Sequence, residues 1–584
     1  MLKILRNLSK KEVMLALVVV ILTCIQTYFD LTLPDYMSKI TMLVQQHSSE
    51  MSEILSAGFK MMGCAFGSLA LALLIAVIAS KIASNFSYRT RAKVFDKVMN
   101  FSMNEINNFS TSSLIVRTTN DITQVQMLIV IGMQLLIKAP ITAVWAIIKI
   151  ANKNISWTTV TGIAVVVLLI IVSICLSLAI PRFKKLQKIT DQINRVTREN
   201  LDGLGVVRAY NAQEYQYAKF EKENEELTST MIFTAKTMSF LMPSIQMIIN
   251  GVVLAVYLVG AVMINEAVGM EQMKLFSEMI VFSSYAMQVI FSFMMLVMVF
   301  MNFPRASVSA KRINEVMETP FSIVDGELTD GKPVSEGKVE FKNVSFKYPD
   351  ADDYAIKDIN FTANKGDVVA IIGSTGCGKS TLINLIPRFY DVTEGAVLVD
   401  GVNVKEYSSE DLMNRIGYVS QKAVLFSGSI ESNVAYGNED KLTKERLENA
   451  VETAQANDFV KGMENSYKGY VAQGGRNLSG GQKQRISIAR AIFKNPEILI
   501  FDDSFSALDY KTDRALRKQL KMSCADSTRI IVGQRIGTIK DADCIIVLEH
   551  GEVVGMGKHH ELLKECEVYQ QIALSQLSEE ELSK

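Results

Sequence analysis

Six long apolar runs dominate the first half of the chain and constrain its fold more than any other feature. They cover residues 13–33, 61–80, 127–150, 157–180, 240–264 and 279–301. Each has at least about 20 residues, the length that an α-helix needs to cross a bilayer. Four runs contain no charged residue, one contains Asp30, and one contains Lys138 and Lys149. We therefore predict a transmembrane domain of six helices over residues 1–320, rather than a cleaved signal peptide before a soluble protein.

Basic residues indicate which side of the membrane each connection occupies. The N-terminal tail holds four of them, residues 81–124 hold six and residues 181–239 hold ten, whereas the opposing loops hold few. Because basic loops stay in the cytoplasm, both termini are predicted to be cytoplasmic. The two long cytoplasmic segments are predicted to be helices that leave the membrane, with breaks at 101–112 and 203–216. These breaks are either short helices that contact a soluble partner or plain surface turns.

Two features of the spans are candidates for contact with a small molecule inside the membrane. Met287, Phe291, Met294 and Met298 recur every three or four residues, which places them on one helical stripe. The stripe either packs against a neighbouring helix or forms an adaptable wall for varied apolar ligands. Lys138 is costly within lipid, so it is either a substrate or ion site or a side chain that reaches toward the interface.

Charge separates the chain into two parts, although the total is zero. Residues 1–320 hold 29 Lys and Arg against 21 Asp and Glu, and the remainder holds 32 against 40. A nucleic-acid binder that depends on bulk positive charge is excluded. The hydrophobic content of 49% excludes general disorder. The 7 cysteines include no pair with zinc-site spacing, which is typical of a protein from a reducing compartment.

After a predicted linker at 321–336, residues 337–584 have the pattern of an α/β domain. The strand DVVAII at 367–372 runs into GSTGCGKST and then into an apolar helix. Glycines in such a loop let backbone N–H groups surround a phosphate at the helix N-terminus. Lys379 is expected to contact the β- and γ-phosphates, and Ser380 to bind Mg²⁺. The other loop residues expected around the phosphates are Gly373, Ser374, Thr375, Gly376, Cys377, Gly378 and Thr381.

A second apolar strand, EILIFDD at 497–503, ends in two carboxylates. Asp502 is placed to hold Mg²⁺ through water, and Asp503 lies where a catalytic base is needed. The sequence LSGGQ at 478–482 lies between the phosphate loop and this strand and precedes a helix rich in Arg and Ala. Its small residues at a helix N-terminus predict a second anion-binding surface.

The phosphate loop, LSGGQ and DD strand together resemble the ATP-binding cassette, and six spans followed by one cassette resemble a half-transporter of the ABC exporter superfamily. The resemblance implies a six-helix transmembrane domain of exporter type followed by an α/β P-loop domain. It also implies that ATP and Mg²⁺ bind and that ATP hydrolysis drives transport. Tyr348 would stack on adenine, and Gln421 would sense Mg²⁺. Segments 101–112 and 208–216 correspond to coupling helices. The residues that would serve ATP held by a second cassette are Ser479, Gly480, Gly481, Gln482 and Asp509.

Three positions depart from the pattern of that family. The residue after the Mg²⁺-binding aspartate is usually glutamate, and here it is Asp503; the switch position is usually histidine, and here it is Gln534. The segment before LSGGQ usually contains GERG and here reads VAQGGR. An aspartate carboxylate lies about 1.5 Å further back than that of glutamate, and misplacement by about 1 Å costs on the order of 100-fold in rate. Glutamine cannot carry the positive charge of an imidazolium.

Both losses fall in one nucleotide site, while LSGGQ, which serves the partner's nucleotide, is intact. This pattern resembles the degenerate-site subunit of heterodimeric bacterial multidrug exporters. The resemblance implies a non-identical second half-transporter with a competent site, a place in the bacterial plasma membrane, and export of small apolar or drug-like molecules. A homodimeric exporter of lipid or peptide remains an alternative. An ATP-regulated channel or sensor subunit is another, which the few polar residues of the spans disfavour.

Overall fold

The computed structural model describes residues 2–46, 50–151, 155–328, 337–349 and 351–576. The chain divides into two compact units, one of residues 1–99 and 111–319 and the other of residues 100–110 and 320–584. The second unit therefore includes a short segment, 100–110, that lies far from the rest of it in the sequence.

The first unit is helical throughout its described secondary structure. Six helical segments within the described ranges are long and apolar enough to cross a membrane, when residues 111–151 are counted as one segment. This confirms the six predicted spans. The helices are α1 (Leu2–Leu5), α2 (Lys10–Gln45), α3 (Met51–Met99), α5 (Thr111–Thr118), α6 (Asn120–Ile131), α7 (Lys138–Ala151), α8 (Ile155–Asp202), α9 (Leu204–Ala209), α10 (Gln213–Glu266) and α11 (Met270–Glu318), with α4 (Met103–Asn108) in the second unit.

The third span is not one regular helix. A π-helix at Gly132–Leu136 separates α6 from α7. Pro140 lies in the first turn of α7 and cannot donate a backbone N–H to the carbonyl group of Leu136. The predicted run 127–150 therefore contains an irregular turn directly before Lys138.

Short helices occupy both predicted breaks in the cytoplasmic segments. Helix α9 lies within 203–216, and α4 lies within 101–112. Ser102 and Glu105 form a capping box that starts α4. Glu105 Oε1 also accepts a hydrogen bond from the backbone N–H of Ser322 at 3.0 Å, and Asn107 Nδ2 donates to the Tyr390 hydroxyl group at 3.1 Å. The α4 segment is thus attached to the α/β unit.

The first part of the predicted linker is also attached to that unit. The backbone N–H groups of Gly326 and Leu328 each donate at 3.0 Å, to the carbonyl oxygens of Tyr407 and Glu406. Residues 329–336 of the linker lie outside the described residues. The described part of the predicted linker 321–336 is therefore hydrogen-bonded to the α/β unit.

The second unit contains two main sheets. An antiparallel sheet has the order β2-β1-β4-β5, a mostly parallel sheet has the order β12-β11-β3-β10-β9-β6, and β7 pairs with β8. The strands are β1 (Val339–Phe346), β2 (Ile356–Ala363), β3 (Val368–Gly373), β4 (Glu394–Val399), β5 (Val402–Asn403), β6 (Ile416–Val419), β7 (Gly428–Ser429), β8 (Tyr470–Val471), β9 (Ile498–Asp502), β10 (Thr528–Val532), β11 (Cys544–Glu549) and β12 (Glu552–Gly557).

Ten α-helices accompany these strands in the described part of the unit that follows the linker. They are α12 (Lys379–Asn384), α13 (Ser409–Arg415), α14 (Ile430–Val434), α15 (Lys444–Thr453), α16 (Asn457–Gly462), α17 (Gly480–Lys494), α18 (Tyr510–Ser523), α19 (Ile536–Ile539), α20 (His559–Glu565) and α21 (Glu567–Leu574).

Buried aliphatic side chains hold the parallel sheet in the centre of this unit. Strands β9 and β10 are buried at every position, as expected for a parallel sheet covered on both faces. Because parallel strands end at the same edge, the segments that follow β3, β6, β9 and β10 are brought together there. Those segments carry the predicted phosphate loop, Gln421, Asp503 and Gln534.

Candidate functional site

The phosphate loop connects β3 to α12 and is shaped by glycine. Gly378 has a φ of 99°, and a Cβ atom there would lie 2.7 Å from Ile356 Cγ2 and 2.8 Å from the carbonyl oxygen of Ala355. A side chain is therefore excluded by both backbone strain and space. The loop can bring backbone N–H groups close to a bound anion because no side chain intervenes.

Lys379 folds back into this loop. Its Nζ atom donates to the carbonyl oxygens of Gly373 at 2.9 Å and Ser374 at 2.7 Å, and it lies 3.8 Å from Cys377 Sγ. The Lys379 and Cys377 side chains are both buried. The buried ammonium group also interacts electrostatically with Asp502 and Asp503, and a phosphate, which offers a full negative charge, can replace the carbonyl oxygens as its acceptor.

The predicted Mg²⁺ ligands lie together. Ser380 Oγ donates to Asp502 Oδ1 at 2.9 Å, and the Tyr418 hydroxyl group lies 3.5 Å from Asp502 Oδ2 and donates to Asn384 Oδ1 at 2.9 Å. Burial raises the pKa of Asp502, and the Ser380 hydrogen bond opposes that shift. A hydroxyl group and a carboxylate are oxygen donors of the kind that Mg²⁺ prefers, so this pair fits the metal.

The Asp503 carboxylate contacts two glutamine side chains, one of which is Gln534 at the unusual switch position. Its Oδ2 atom accepts hydrogen bonds from Gln534 Nε2 at 2.9 Å and from Gln421 Nε2 at 3.4 Å. Its backbone has a φ of 46°, a left-handed conformation that Asp tolerates better than most residues. Burial raises the pKa of Asp503, and the hydrogen bond from Gln421 opposes this. Two side-chain amides thus hold the carboxylate that is predicted to lie where a catalytic base is needed.

Tyr348 lies beside the phosphate loop. Its hydroxyl group is 3.0 Å from Thr381 Oγ1, and its ring meets the rings of Phe346 and Tyr390 edge-on, with centroids 4.8 Å and 5.3 Å away. The other residues predicted in the loop, Thr375 and Gly376, belong to the same β3–α12 connection. An aromatic side chain is suited to stacking on a base, and the stacking of Tyr348 on adenine stays a prediction.

The residues predicted to serve a second nucleotide form a separate surface. Ser479 and Gln482 make a reciprocal capping box at the start of α17, with Gly480 and Gly481 between them. Asp509 caps α18 and accepts from the Thr512 backbone N–H at 2.9 Å. Within the described ranges no hydrogen bond joins these residues to the phosphate loop. They therefore lie apart from the loop's own hydrogen-bond network, and the small side chains leave the first turn of α17 open.

Sequence reasoning missed three polar residues that support the site. Tyr418 contacts Asp502, as described above. Gln484 is buried and donates to the carbonyl oxygen of Ser420 at 3.2 Å, beside Gln421. Gln576 accepts from the Ile536 backbone N–H at 2.9 Å and donates to the Gln534 carbonyl oxygen at 2.7 Å. A polar residue within an apolar strand is a local signal for Tyr418, whereas the two glutamines have no such signal.

The span residues that were predicted to contact a small molecule lie in different environments. Met287 and Met294 are partly buried against the hydrophobic core of the helical unit, while Phe291 and Met298 are 42% and 59% exposed. The stripe therefore both packs against neighbours and presents an apolar surface. Lys138 Nζ lies 2.9 Å from Asp30 Oδ2, so the lysine forms an ion pair within the spans.

Both halves of the chain match known families. Residues 13–301 match the ABC transporter transmembrane region, and residues 356–506 match the ABC transporter family of ATP-binding domains. The chain is 37% identical over 85% of both chains to the "Uncharacterized ABC transporter ATP-binding protein Mb1304c" of Mycobacterium bovis. It is 34% identical to "YfiB" of Bacillus subtilis over 90% of both chains. It is 30% identical to the Bacillus subtilis "Putative multidrug export ATP-binding/permease protein YgaD" over 82% of both chains.

A solved structure has the same fold. The "Structure of a bacterial Atm1-family ABC exporter with ATP bound" superposes with a TM-score of 0.80 at 22% identity, covering 98% of this chain and 100% of the other.

Proposed function

The chain belongs to the ABC transporter family, and from that premise we propose that it is one half of a heterodimeric exporter whose own nucleotide site hydrolyses ATP poorly. It joins a transmembrane domain to a nucleotide-binding domain and has the fold of an Atm1-family exporter. The family's ATPase domain couples ATP hydrolysis to transport across the bilayer. Outward transport, slow hydrolysis at the chain's own nucleotide site and a non-identical partner subunit are the proposed properties.

The contact between Asp503 and Gln534 carries the proposal. A catalytic base must accept a proton from the attacking water, and the hydrogen bond that Oδ2 of this carboxylate accepts from the Gln534 amide at 2.9 Å disfavours that protonation because it stabilises the charged form. The shorter aspartate side chain also holds the carboxylate about 1.5 Å further back than glutamate would. Gln534 offers a hydrogen bond and no positive charge. Each change weakens hydrolysis without touching the phosphate loop.

The residues that bind nucleotide remain suited to that task. Lys379 and the loop backbone would hold the phosphates, and Ser380 with Asp502 would hold Mg²⁺, which neutralises phosphate charge when bound. Tyr348 would orient the base. Binding of ATP at such a site favours closure of the cassettes to the extent that the closed state binds ATP more tightly than the open state.

The intact LSGGQ turn supports a role in a second site. Ser479 and Gln482 cap α17 and keep its first turn ordered, so the turn is ready to meet a γ-phosphate held by another cassette. A partner with glutamate and histidine at the two altered positions would then hydrolyse ATP between its own phosphate loop and this turn. We propose small apolar or drug-like molecules as cargo and the bacterial plasma membrane as the location.

The test is ATP hydrolysis by the full chain, purified alone and reconstituted in lipid vesicles. The wild type is compared with the Asp503→Glu, Gln534→His double variant, and Lys379→Ala serves as the control without phosphate binding. We expect a nearly silent wild type and a double variant faster by about 100-fold, the rate effect of 1 Å misplacement. Brisk wild-type hydrolysis that Lys379→Ala abolishes would instead establish a self-sufficient homodimer and refute the impaired-site proposal.

A further inference from the structure

A side-chain hydrogen bond connects helix α4 to the surroundings of the predicted adenine site. Asn107 Nδ2 donates to the Tyr390 hydroxyl group at 3.1 Å. Asn107 is exposed, whereas Tyr390 is partly buried and packs against a hydrophobic core that includes residues of β1 and β3. A residue that precedes the α/β domain by more than 200 positions thus contacts a ring that packs against the core of that domain.

Tyr390 in turn contacts Tyr348, the side chain that is predicted to stack on adenine. The two ring centroids are 5.3 Å apart, and the ring planes are nearly perpendicular, at 85°. Edge-to-face pairs of this kind are favourable at centroid distances of about 4.5–7 Å. The Tyr390 ring therefore restricts where the Tyr348 ring can lie.

Tyr348 is also held by residues of the α/β domain itself. Its ring meets the buried Phe346 ring at 80°, with centroids 4.8 Å apart, and its hydroxyl group lies 3.0 Å from Thr381 Oγ1. Phe346 belongs to β1, and Thr381 belongs to the helix that follows the phosphate loop. Of these contacts of Tyr348, the one with Tyr390 is the one that a residue of α4 can influence.

The hydroxyl group of Tyr390 is a neutral partner for the Asn107 amide. Burial raises the pKa of Tyr390, the neighbouring Tyr348 adds to this shift, and the Asn107 hydrogen bond opposes it. The phenol therefore keeps its proton at neutral pH, and its oxygen accepts an uncharged hydrogen bond. Because a tyrosine ring is rigid and has only two side-chain torsions, a hydrogen bond to its hydroxyl group orients the whole ring.

Helix α4 holds Asn107 in a defined place although it has only six residues. Ser102 and Glu105 form the capping box at its start, and Glu105 Oε1 accepts from the Ser322 backbone N–H at 3.0 Å. A helix of this length is not stable by itself, so these contacts determine its position. The Asn107 amide is therefore presented to Tyr390 from an anchored backbone.

We propose that Asn107 and Tyr390 are positioning residues for base recognition: Asn107 orients the Tyr390 ring, which keeps Tyr348 where it stacks on adenine. The nucleotide affinity of this chain then depends on α4 through the base and not through the phosphates. Because coupling between two binding events is reciprocal, a bound base also stabilises the attachment of α4. This role rests on the proposed function, in which Tyr348 orients the base, and extends it to a residue outside the α/β domain.

The test compares two ligands that both carry three phosphorus groups but differ in the base. The non-hydrolysable ATP analogue AMP-PNP and inorganic tripolyphosphate, each with Mg²⁺, are titrated calorimetrically into the full chain in lipid nanodiscs. Asn107→Ala and Tyr390→Phe each remove one side of the hydrogen bond. We expect either variant to raise the Kd for AMP-PNP by about two- to tenfold, the effect of one net hydrogen bond. The Kd for tripolyphosphate is expected to stay unchanged, and the double variant to lose no more than either single variant.

Asn108→Ala is the matched control. Asn108 is the next residue of the same helix and is exposed, and its side chain makes no hydrogen bond among the residues that the structure describes. We expect this variant to bind both ligands as the wild type does. An equal loss in the Asn107 and Asn108 variants would overturn the proposal, and so would an equal loss for tripolyphosphate, which is the result that a generally loosened domain would give.

Tyr348→Leu distinguishes failure of this proposal from failure of the proposed function. An unchanged Kd for AMP-PNP in that variant would mean that Tyr348 does not orient the base, and the role of Asn107 would fail with it. If Tyr348→Leu weakens AMP-PNP binding while Asn107→Ala does not, only the role of Asn107 and Tyr390 is refuted. Hydrolysis does not enter either result.

Hydrogen exchange tests the same link in the reverse direction. Peptides that cover residues 103–109 should exchange more slowly with AMP-PNP bound than with tripolyphosphate bound, because only the first ligand contacts Tyr348. Asn107→Ala should remove this difference. Equal exchange with the two ligands in the wild type would contradict a connection between the base and α4.

Discussion

The Gln576 side chain forms hydrogen bonds with the backbone on both sides of Arg535. Its replacement by alanine is expected to loosen residues 534–536, the switch segment. The side-chain amide accepts from the Ile536 N–H at 2.9 Å and donates to the Gln534 carbonyl oxygen at 2.7 Å. A typical hydrogen bond contributes about 0.5–1.5 kcal/mol net. Because Gln576 is exposed, we take the lower part of that range and expect a total of about 1–2 kcal/mol.

The effect is measurable without any catalysis. A loss of about 1–2 kcal/mol corresponds to about 5- to 30-fold faster local opening, so the Ile536 amide should exchange faster with deuterated solvent by that factor. Hydrogen exchange is followed by mass spectrometry on peptides that cover the switch segment of the full chain. Peptides from β3 are expected to keep their wild-type rates.

Gln570→Ala is the matched control. Gln570 lies on α21, and its Nε2 donates to the Leu563 carbonyl oxygen at 2.7 Å within the same C-terminal region. Its loss should raise exchange near Leu563 and leave the switch segment unchanged. If Gln576→Ala leaves the Ile536 amide at its wild-type rate, or if both variants accelerate it equally, the two hydrogen bonds do not position the segment.

Three further predictions concern the cassette. Arg415→Met should destabilise it by about 3–5 kcal/mol, because the Asp400 carboxylate, 2% exposed, loses its buried guanidinium partner; an unchanged thermal midpoint would contradict this. Burial raises the pKa of Asp502 and Asp503 and favours their neutral forms, so acidification should protonate them above the ordinary carboxyl range. Calorimetry should then show Mg²⁺-dependent ATP binding weakening before Mg²⁺-free binding. Alkylation of Cys377, whose thiol lies 3.8 Å from the loop lysine's Nζ, should weaken nucleotide binding; full affinity after complete modification would refute this.

Features with a local sequence signature could be predicted. The spans follow from uninterrupted apolar length, and the phosphate loop follows from glycine and lysine spacing between a strand and a helix. Sequence reasoning could predict only that Asp503 and Gln534 belong to the same nucleotide site. It could not predict the 2.9 Å contact between their side chains, because that contact depends on β9 and β10 being neighbours in the sheet.

Features that depend on packing between distant elements could not be predicted. Lys138 is unusual in sequence, but its partner Asp30 lies more than 100 residues away and is selected by how α2 and α7 pack. Periodicity placed Met287 and Met298 on one stripe, yet it could not tell that the first is partly buried and the second 59% exposed. Gln576 follows the last described helix and has no pattern of its own.

In the proposed function, ATP binding and ATP hydrolysis depend on different residues of the nucleotide site. Lys379 would exchange the carbonyl oxygens of the loop for phosphate, and Ser380 is oriented toward the predicted metal position by its hydrogen bond to Asp502. The Gln534 hydrogen bond stabilises the charged carboxylate of Asp503 and so opposes its protonation by water, and a hydrogen bond to a charged group contributes about 1.5–3 kcal/mol. In the proposed function this cost falls on the chemical step. A site of this kind would hold ATP and keep the cassettes closed while a partner's site completes the cycle.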